Sequence, residues 1–194
     1  KPYGVKGFIA YSTDAIYLYD DNYVENLLVR RVDYKITSVE LINKTLFYGT
    51  SDNSLTILDL TTNKKVTNVE FGGNKQINKI KALPYNKCLL LCGDSHDSNQ
   101  IKICDLANLS SEPEKEFTFD GVITYNGIFS NGNIFFFLQA ESKELLIYDI
   151  KTTDMTMYDL KVIMLKSKFL GISSTDLLLF YTNYMHGRTL HIYG

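Results

Sequence analysis

One short apolar segment that ends in a fixed slot recurs five times along this chain, and this repeat is the feature that most constrains the fold. The copies are IYLYD at 16–20, LTILD at 55–59, IKICD at 101–105, LLIYD at 145–149 and LHIYG at 190–194. The slot positions 20, 59, 105, 149 and 194 are therefore 39, 46, 44 and 45 residues apart. A fixed period of this length indicates one repeated supersecondary unit rather than an isolated hairpin.

Each copy lies in the same succession of strands and polar turns. An apolar strand and a polar loop precede it, as in KTLFYGTSDNS at 44–54, and a turn rich in Thr, Asn and Lys follows it. An outer strand such as KVTNVEFG at 65–72 and an inner strand such as INKIKALPY at 77–85 come next. The unit therefore contains about four strands joined by turn-forming residues, which predicts four-stranded antiparallel propeller blades.

The apolar patterns within the strands support the same fold class. The inner strand ITSVELI at 36–42 alternates apolar and polar residues, with a slip around Ser38. Near-continuous apolar strands such as NIFFFLQA at 133–140 are typical of strands that are buried on both faces. The segment KVIMLKSKFLG at 161–171 is the best helix candidate, but its place in the repeat and its β-branched start predict a strand.

Composition is consistent with an all-β protein and argues against two functional classes. The 194 residues include 14 Tyr, 11 Phe, no Trp and only three Pro, a bias that favours strands. The net charge is −2 and the basic residues are dispersed, so the sequence argues against direct nucleic-acid binding. No apolar run is long enough to predict a membrane-spanning segment.

The pattern resembles the WD-repeat β-propeller family. The segment LFYGTSDNSLTILDLTTNKKV at 46–66 is similar to that family's strand b, b–c loop, strand c with its terminal dipeptide, and turn into strand d. Leu58-Asp59 stands in the dipeptide slot, whereas Tyr193-Gly194 departs from it. Trp and the Gly-His dipeptide that opens many WD repeats are absent, so the family's usual hydrogen-bond network is not carried over.

The repeat predicts about four and a half blades in one propeller segment. The units are a partial one at 1–20 and complete ones at approximately 21–59, 60–105, 106–149 and 150–194. The resemblance implies a ring of six to eight blades, and an open arc would leave the faces between blades exposed to water. We therefore expect this chain to belong to a longer protein, with the remaining blades supplied by the same chain or by a partner.

The recurrence of Asp in the slot raises the question of whether these carboxylates are catalytic. Because one of them ends the third strand of each blade, they would lie far apart around a ring, and the pattern instead predicts turn capping. The slots that carry the acid are Asp20, Asp59, Asp105 and Asp149.

No other cluster of polar residues matches the spacing of a known metal or catalytic site. GDSHDSNQ at 93–100 lacks the pattern of a calcium loop, and His186 and His191 do not have a zinc spacing. Cys88 and Cys92 would be too far apart on one strand for a disulfide, so with Cys104 they are predicted to be buried reduced thiols. We predict no metal, no cofactor and no catalytic residue.

The resemblance implies that partners bind at the face formed by the outer-to-inner loops and the b–c loops. Those loops combine aromatic and charged residues, which are favoured at interfaces. The candidate partner-binding residues are Tyr34, Lys35, Lys75, Gln76, His96, Tyr184, His186 and Arg188.

These observations predict a non-catalytic scaffold for protein–protein interaction within a larger intracellular protein or complex, in the cytoplasm or the nucleus. The alternative is a propeller enzyme or small-ligand binder with a site in the central channel. The inner strands argue against that alternative because they carry Thr37, Asn78, Lys79, Thr124 and Lys166 rather than a cluster of acids or histidines.

Overall fold

The structure is a computed structural model that contains strands and turns and no helix among the residues it describes. These residues are 7–20, 22, 24–30, 33–42, 44–62, 64–94, 97–128, 132–139, 143–159, 167–172, 178–184 and 187–193. The chain divides into two compact units, Lys1–Thr118 and Phe119–Gly194. Each unit is described by itself.

The first unit contains three antiparallel sheets that follow one another along the chain. The first sheet consists of β1 (Gly7–Tyr11), β2 (Ala15–Asp20) and β3 (Glu25–Arg30). The second sheet consists of β4 (Ile36–Ile42), β5 (Thr45–Thr50), β6 (Ser54–Asp59) and β7 (Lys64–Glu70). The third sheet consists of β8 (Gln76–Leu83), β9 (Lys87–Asp94), β10 (Asp97–Asp105) and β11 (Lys115–Thr118).

The second unit contains two further antiparallel sheets. The fourth sheet consists of β12 (Val122–Ile128), β13 (Ile134–Gln139), β14 (Lys143–Tyr148) and β15 (Met155–Asp159). The fifth sheet consists of β16 (Ser167–Ile172), β17 (Leu178–Tyr184) and β18 (Gly187–Tyr193). β16 covers the last five residues of the segment 161–171, so the prediction of a strand is confirmed for 167–171, while 161–166 lie outside the described residues.

The five sheets confirm the predicted all-β class with four-stranded antiparallel blades. In each complete sheet the strands pair in sequence order. The predicted Asp slot is the last residue of the third strand in the second and third sheets and directly follows it in the fourth. In the first sheet the described strands correspond to the second, third and fourth of a complete sheet, and in the fifth to the first, second and third. The blade count therefore agrees with the repeat count in the sequence.

A β-bulge recurs near the start of the first strand in four of the sheets. In β4 it lies between Ile36 and Ser38, where the sequence alternation slips, and in β8 it lies between Ile77 and Lys79. The equivalent bulges of β12 and β16 follow Ile123 and Phe169. A bulge leaves one residue outside the ladder and redirects its side chain, so that this residue can contact a neighbouring sheet.

Two clusters of buried side chains join the three sheets of the first unit. Between the first and second sheets lie Ile16, Ile36, Leu46, Tyr48 and Leu58. Between the second and third sheets lie Phe47, Leu55, Ile57, Ile77, Ile80, Cys88, Leu90, Cys92 and Cys104. Because successive residues of β5 alternate between these clusters, the second sheet is buried on both faces, as the continuous apolar strands predicted.

Gly49 allows the third sheet to approach the second one closely. An added Cβ at Gly49 would lie 2.7 Å from the Cβ and Cγ2 atoms of Ile77 and 2.7 Å from the Ser38 hydroxyl. Ile77 is completely buried. The absence of a side chain at residue 49 is therefore a requirement of sheet packing rather than of backbone conformation.

Replacing Gly49 tests this packing directly. We expect Gly49→Ala to lower the free energy of unfolding by about 3 kcal/mol, because the backbone of β8 must move to relieve the overlap. As a control, Gly72→Ala introduces a Cβ with nothing within 4 Å at a φ of +68°, so only backbone strain of about 1 kcal/mol is expected. Urea unfolding monitored by circular dichroism measures both; equal losses would contradict the close approach of β8 to β5.

Candidate functional site

A pocket of about 620 Å³ opens where the end of β1 and the β1–β2 turn meet the starts of β4 and β8, the inner strands of the second and third sheets. It lies within the first unit, at the end that carries the β1–β2 and β5–β6 turns. Its lining is Tyr11, Ser12, Thr13, Lys35, Ile36, Thr37, Gln76 and Asn78. The lining thus combines one phenol ring, one ammonium group, three aliphatic hydroxyls and two amides around a buried isoleucine.

Hydrogen bonds between sheets fix the floor of this pocket. The Ile36 N–H donates to the carbonyl oxygen of Thr13 at 2.7 Å, which ties β4 to the first sheet. The hydroxyls of Thr37 and Ser38 both donate to the carbonyl oxygen of Ile77, at 2.6 and 2.9 Å, which ties β4 to β8. The bulges supply both the donors and the acceptor, so the irregularity of the inner strands holds the pocket together.

The turns beside the pocket are held by hydroxyl–carboxylate bonds. In the β1–β2 turn the Ser12 hydroxyl donates to Asp14 at 2.6 Å, and in the β5–β6 turn the Thr50 hydroxyl donates to Asp52. The Ser51 hydroxyl accepts from the Lys35 N–H at 3.2 Å. Each turn therefore repeats the same hydroxyl–x–Asp arrangement, which keeps the rim in one conformation.

A chain of polar side chains continues the site along the third sheet. Gln76 Nε2 donates to Asn78 Oδ1 at 2.8 Å, and Asn78 Nδ2 donates to the Ser98 hydroxyl at 3.1 Å. Beside it, Lys75 Nζ donates to Asn99 Oδ1 at 2.5 Å. This side of the site therefore presents two amide side chains in fixed orientations, together with the Lys75 ammonium group, which the neutral Asn99 side chain holds in place.

The fold has counterparts among solved proteins. No protein-family model and no curated protein matches this sequence. Many solved chains match the structure. One is the crystal structure of the WD40 β-propeller domain of Doa1, at 16% sequence identity and a TM-score of 0.62, with 78% of this chain covered. The chain has the fold of a WD40-like β-propeller. It spans about half the length of that solved chain, with 50% covered.

Four of the predicted partner-binding residues lie close together in the first unit. Lys35 and Gln76 line the same pocket, Tyr34 is exposed next to Lys35, and Lys75 lies next to Gln76. Two others lie in the second unit: Tyr184 ends β17, and Arg188 in β18 lies opposite Asn183 of β17. His96 and His186 lie outside the described residues. Partner binding by all eight residues remains a prediction.

Sequence reasoning missed the contribution of the first blade to the pocket. Tyr11, Ser12 and Thr13 were not among the predicted site residues, and Thr37 and Asn78 were noted only as inner-strand residues. A signal for the last two was present: each follows the isoleucine that opens an inner strand, at the position where the bulge breaks the alternation. Nothing in the sequence pattern of the β1–β2 turn indicated that it lies beside β4.

The Asp slots cap turns, as predicted, where the structure describes their side chains. Asp59 accepts from the Thr61 N–H at 2.7 Å, Asp105 from the Ala107 N–H at 2.9 Å and Asp149 from the Lys151 N–H at 2.8 Å. These backbone donors are the main reason that the pKa values of Asp59 and Asp149 are lowered. Each of these carboxylates is therefore bonded within the turn that follows its own third strand.

The lowered pKa of Asp59 predicts a pH-dependent contribution to stability. Its ionised form is favoured in the folded state, so the stabilisation is complete well above the ordinary value of 3.8 and is lost as pH falls below it through the folded pKa. We expect Asp59→Ala to be less stable than the wild type at pH 6 and the difference to shrink at pH 3. Urea midpoints at the two pH values measure this; a difference that grows on acidification would contradict the capping role.

The three cysteines are free and buried, as predicted. Burial raises the pKa of Cys92 to about 12. A hydrogen bond with Cys88, which lies opposite on β9, and then burial raise the pKa of Cys104. Cys92 and Cys104 are therefore protonated at neutral pH, and all three thiols belong to the core between the second and third blades.

The described part of the chain contains no group of three or more His, Cys, Asp or Glu side chains placed to hold a metal ion. Asp94 ends β9 and is exposed, while its neighbour His96 is not described. No helix among the described residues could cross a bilayer.

Proposed function

We propose that this chain is a non-catalytic propeller scaffold that binds another protein at the pocket formed by its first three blades. The supporting observation is the lining of the pocket: three blades contribute an aromatic ring, an ammonium group and several hydrogen-bonding groups on a preformed rim. Rigid scaffolds that carry adaptable polar groups on loops are typical of protein recognition. Fold likeness alone does not decide function, so the proposal rests on this lining.

Lys35 is the residue through which the pocket attracts a partner in this proposal. It is exposed at the mouth of the pocket, next to the exposed Tyr34 ring, and no ion pair joins it to a described carboxylate. Its backbone is fixed on both sides, because its N–H donates to the Ser51 hydroxyl and its carbonyl oxygen accepts from the Ser51 N–H. The ammonium group is therefore carried by a rigid turn and is available for an acidic group of the partner.

We propose further that additional blades complete the ring, supplied by the same protein or by a partner, within an intracellular complex in the cytoplasm or nucleus. The first and fifth sheets each have three described strands where the others have four. On the first sheet, the Phe8 ring stacks on Tyr19 at 4.8 Å and both Phe8 and Leu27 are about half exposed. Another blade packed on that face would bury these side chains and add to stability.

A small-molecule ligand is the second candidate, because the pocket volume lies in the range typical of such sites. A propeller enzyme would need an activated nucleophile or an acid–base pair in that pocket. The lining contains hydroxyls and the Lys35 ammonium group, but neither a carboxylate nor a histidine that could act as their base. We therefore propose this alternative as the binding of a small molecule without catalysis.

Charge reversal at Lys35 tests the proposed function. We expect the wild-type protein, tagged in cells and purified at moderate salt, to retain at least one protein in a fixed ratio. Lys35→Glu is expected to lower its recovery about tenfold, because an attraction at the interface becomes a repulsion. Lys151→Glu, in the exposed turn after β14, is the matched control and should leave recovery unchanged.

The outcomes of this experiment separate the two candidates. Equal recovery with wild type and Lys35→Glu would contradict the proposed binding site. If no protein is retained and native mass spectrometry instead finds a small molecule that Lys35→Glu releases, the small-ligand alternative is correct.

A further inference from the structure

Two of the three cysteines face each other across adjacent strands of the third blade. Cys88 of β9 lies directly opposite Cys104 of β10 in the antiparallel register, and neither forms a disulfide. Both belong to the core between the second and third blades, where they are 0% and 2% exposed. Their side chains are hydrogen-bonded to each other, so the two sulfur atoms are in contact. We name Cys88 and Cys104 the thiol pair.

The backbone hydrogen bonds beside the thiol pair fix the separation of its two Cα atoms. The Leu106 N–H donates to the carbonyl oxygen of Asn86 at 2.9 Å, two residues further along both strands. Hydrogen-bonded and non-hydrogen-bonded pairs alternate along an antiparallel ladder, so Cys88 and Cys104 are a hydrogen-bonded pair. The Cα atoms of such a pair lie about 5.5 Å apart, which is within the range of about 4.4–6.8 Å found across disulfides. A bond between the two sulfurs therefore needs no change of register.

Cys92 lacks a facing thiol although it lies on the same strand as Cys88. It is also free and buried, but the residue opposite it on β10 is Gln100. It lies four residues along β9 from the position that faces Cys104, which is about 13 Å at about 3.3 Å per residue. That separation is too large for a disulfide. The chain therefore carries one thiol pair and one isolated thiol in the same core.

A depression of about 230 Å³ gives Cys104 a route to solvent. It lies beside the loop of residues 106–114 that joins β10 to β11. Besides Cys104, its lining consists of Asp105, Asn108, Leu109, Ser110, Glu112 and Glu114. Three of these side chains are carboxylates, so the depression repels anionic oxidants and admits a small neutral one such as hydrogen peroxide. Neither Cys88 nor Cys92 lines it, so oxidation begins at Cys104.

The chemistry of the thiol pair proceeds in two steps. In the first, the Cys104 sulfur attacks one oxygen of hydrogen peroxide, an S–O bond forms as the O–O bond breaks, and the leaving hydroxide takes the thiol proton to become water. In the second, the Cys88 sulfur attacks the sulfenic acid of Cys104, an S–S bond forms as the S–O bond breaks, and a second water leaves. Two thiols and one peroxide thus give one disulfide and two waters. Because Cys104 is protonated at neutral pH, the first step is slow, and the pair responds to sustained exposure.

The same geometry makes the disulfide reversible. The Cβ atoms of facing residues in an antiparallel sheet are about 4.5–5.5 Å apart and are the more distant in hydrogen-bonded pairs. A disulfide needs about 3.5–4.5 Å between them, so the bridge must draw the two strands together and stores strain. Strained disulfides are reduced more easily than relaxed ones.

We propose that Cys88 and Cys104 are a site of reversible oxidation, at which hydrogen peroxide converts two facing thiols into a disulfide between β9 and β10. The depression beside Cys104 shares no lining residue with the Lys35 pocket. The proposal is therefore independent of partner binding at that pocket, and either can fail without the other.

Peroxide treatment of the reduced wild-type protein at neutral pH tests the proposal. We expect the intact mass to fall by two hydrogen atoms and the number of thiols that iodoacetamide labels after denaturation to fall from three to one. Trypsin should then release the peptides 88–102 and 103–115 joined to each other. Reduced glutathione is expected to restore all three thiols, because the bridge is strained.

Single-cysteine variants assign the bridge, since Cys88 and Cys92 lie in the same tryptic peptide. Cys92→Ala is the matched control and should form the bridge at a rate within about twofold of the wild type. Cys88→Ala and Cys104→Ala should give no joined peptides. In Cys88→Ala the reaction should stop at the sulfenic acid, so that dimedone labels Cys104 and leaves Cys92 unlabelled.

Any of three results would overturn the proposal. The first is a wild-type protein that keeps three thiols under peroxide exposure that fully oxidises free glutathione. The second is a joined peptide pair that persists in Cys88→Ala, which would assign the bridge to Cys92. The third is a bridge that forms only in protein whose circular dichroism shows that it has unfolded. The wild-type peptide map decides the first and third even where a variant does not fold.

Discussion

The first unit depends on one contact between neighbouring blades, in which the bulge at the start of β4 meets the bulge at the start of β8. A single carbonyl oxygen, that of Ile77, accepts from the hydroxyls of Thr37 and Ser38 on the preceding blade. The Ile77 side chain fills the space that Gly49 leaves open. Polar and apolar contacts thus converge on one residue, and a buried hydrogen-bonding group left without its partner would cost about 1–3 kcal/mol.

This contact shows how the first unit holds neighbouring blades together without a tryptophan. The sequence has no Trp. The blades of the first unit are joined instead by aliphatic clusters between sheets and by hydroxyl groups at the bulges. The same arrangement places polar side chains at one end of these blades, so the proposed Lys35 site is a consequence of how the blades are joined.

The sequence was sufficient for features that depend on local pattern. The strand order, the Asp-capped turns, the buried thiols and the slip at Ser38 all follow from periodicity or turn chemistry, and the structure contains each of them. Features that depend on a neighbouring blade were not predictable. Lys102 is an example: it lies within IKICD yet is only 4% exposed, with Glu116 at 2.8 Å and the Phe71 ring at 5.3 Å.

The pocket shows the same division between local and non-local information. Lys35 and Gln76 were predicted because they lie in loops that the repeat places at one end of the blades. Their proximity to Tyr11 and Thr13 depends on the hydrogen bond from Ile36 to the β1–β2 turn and on a register that no local pattern specifies.

Hydrogen–deuterium exchange of the protein with and without its co-purified partner tests the central claim most directly. The account predicts that peptides covering 11–13, 35–37 and 76–78 are protected together when the partner is bound, because one pocket draws on three blades. Protection confined to one of these segments, or absent from all three, would contradict the claim that the β1–β2 turn and the starts of β4 and β8 form one recognition site.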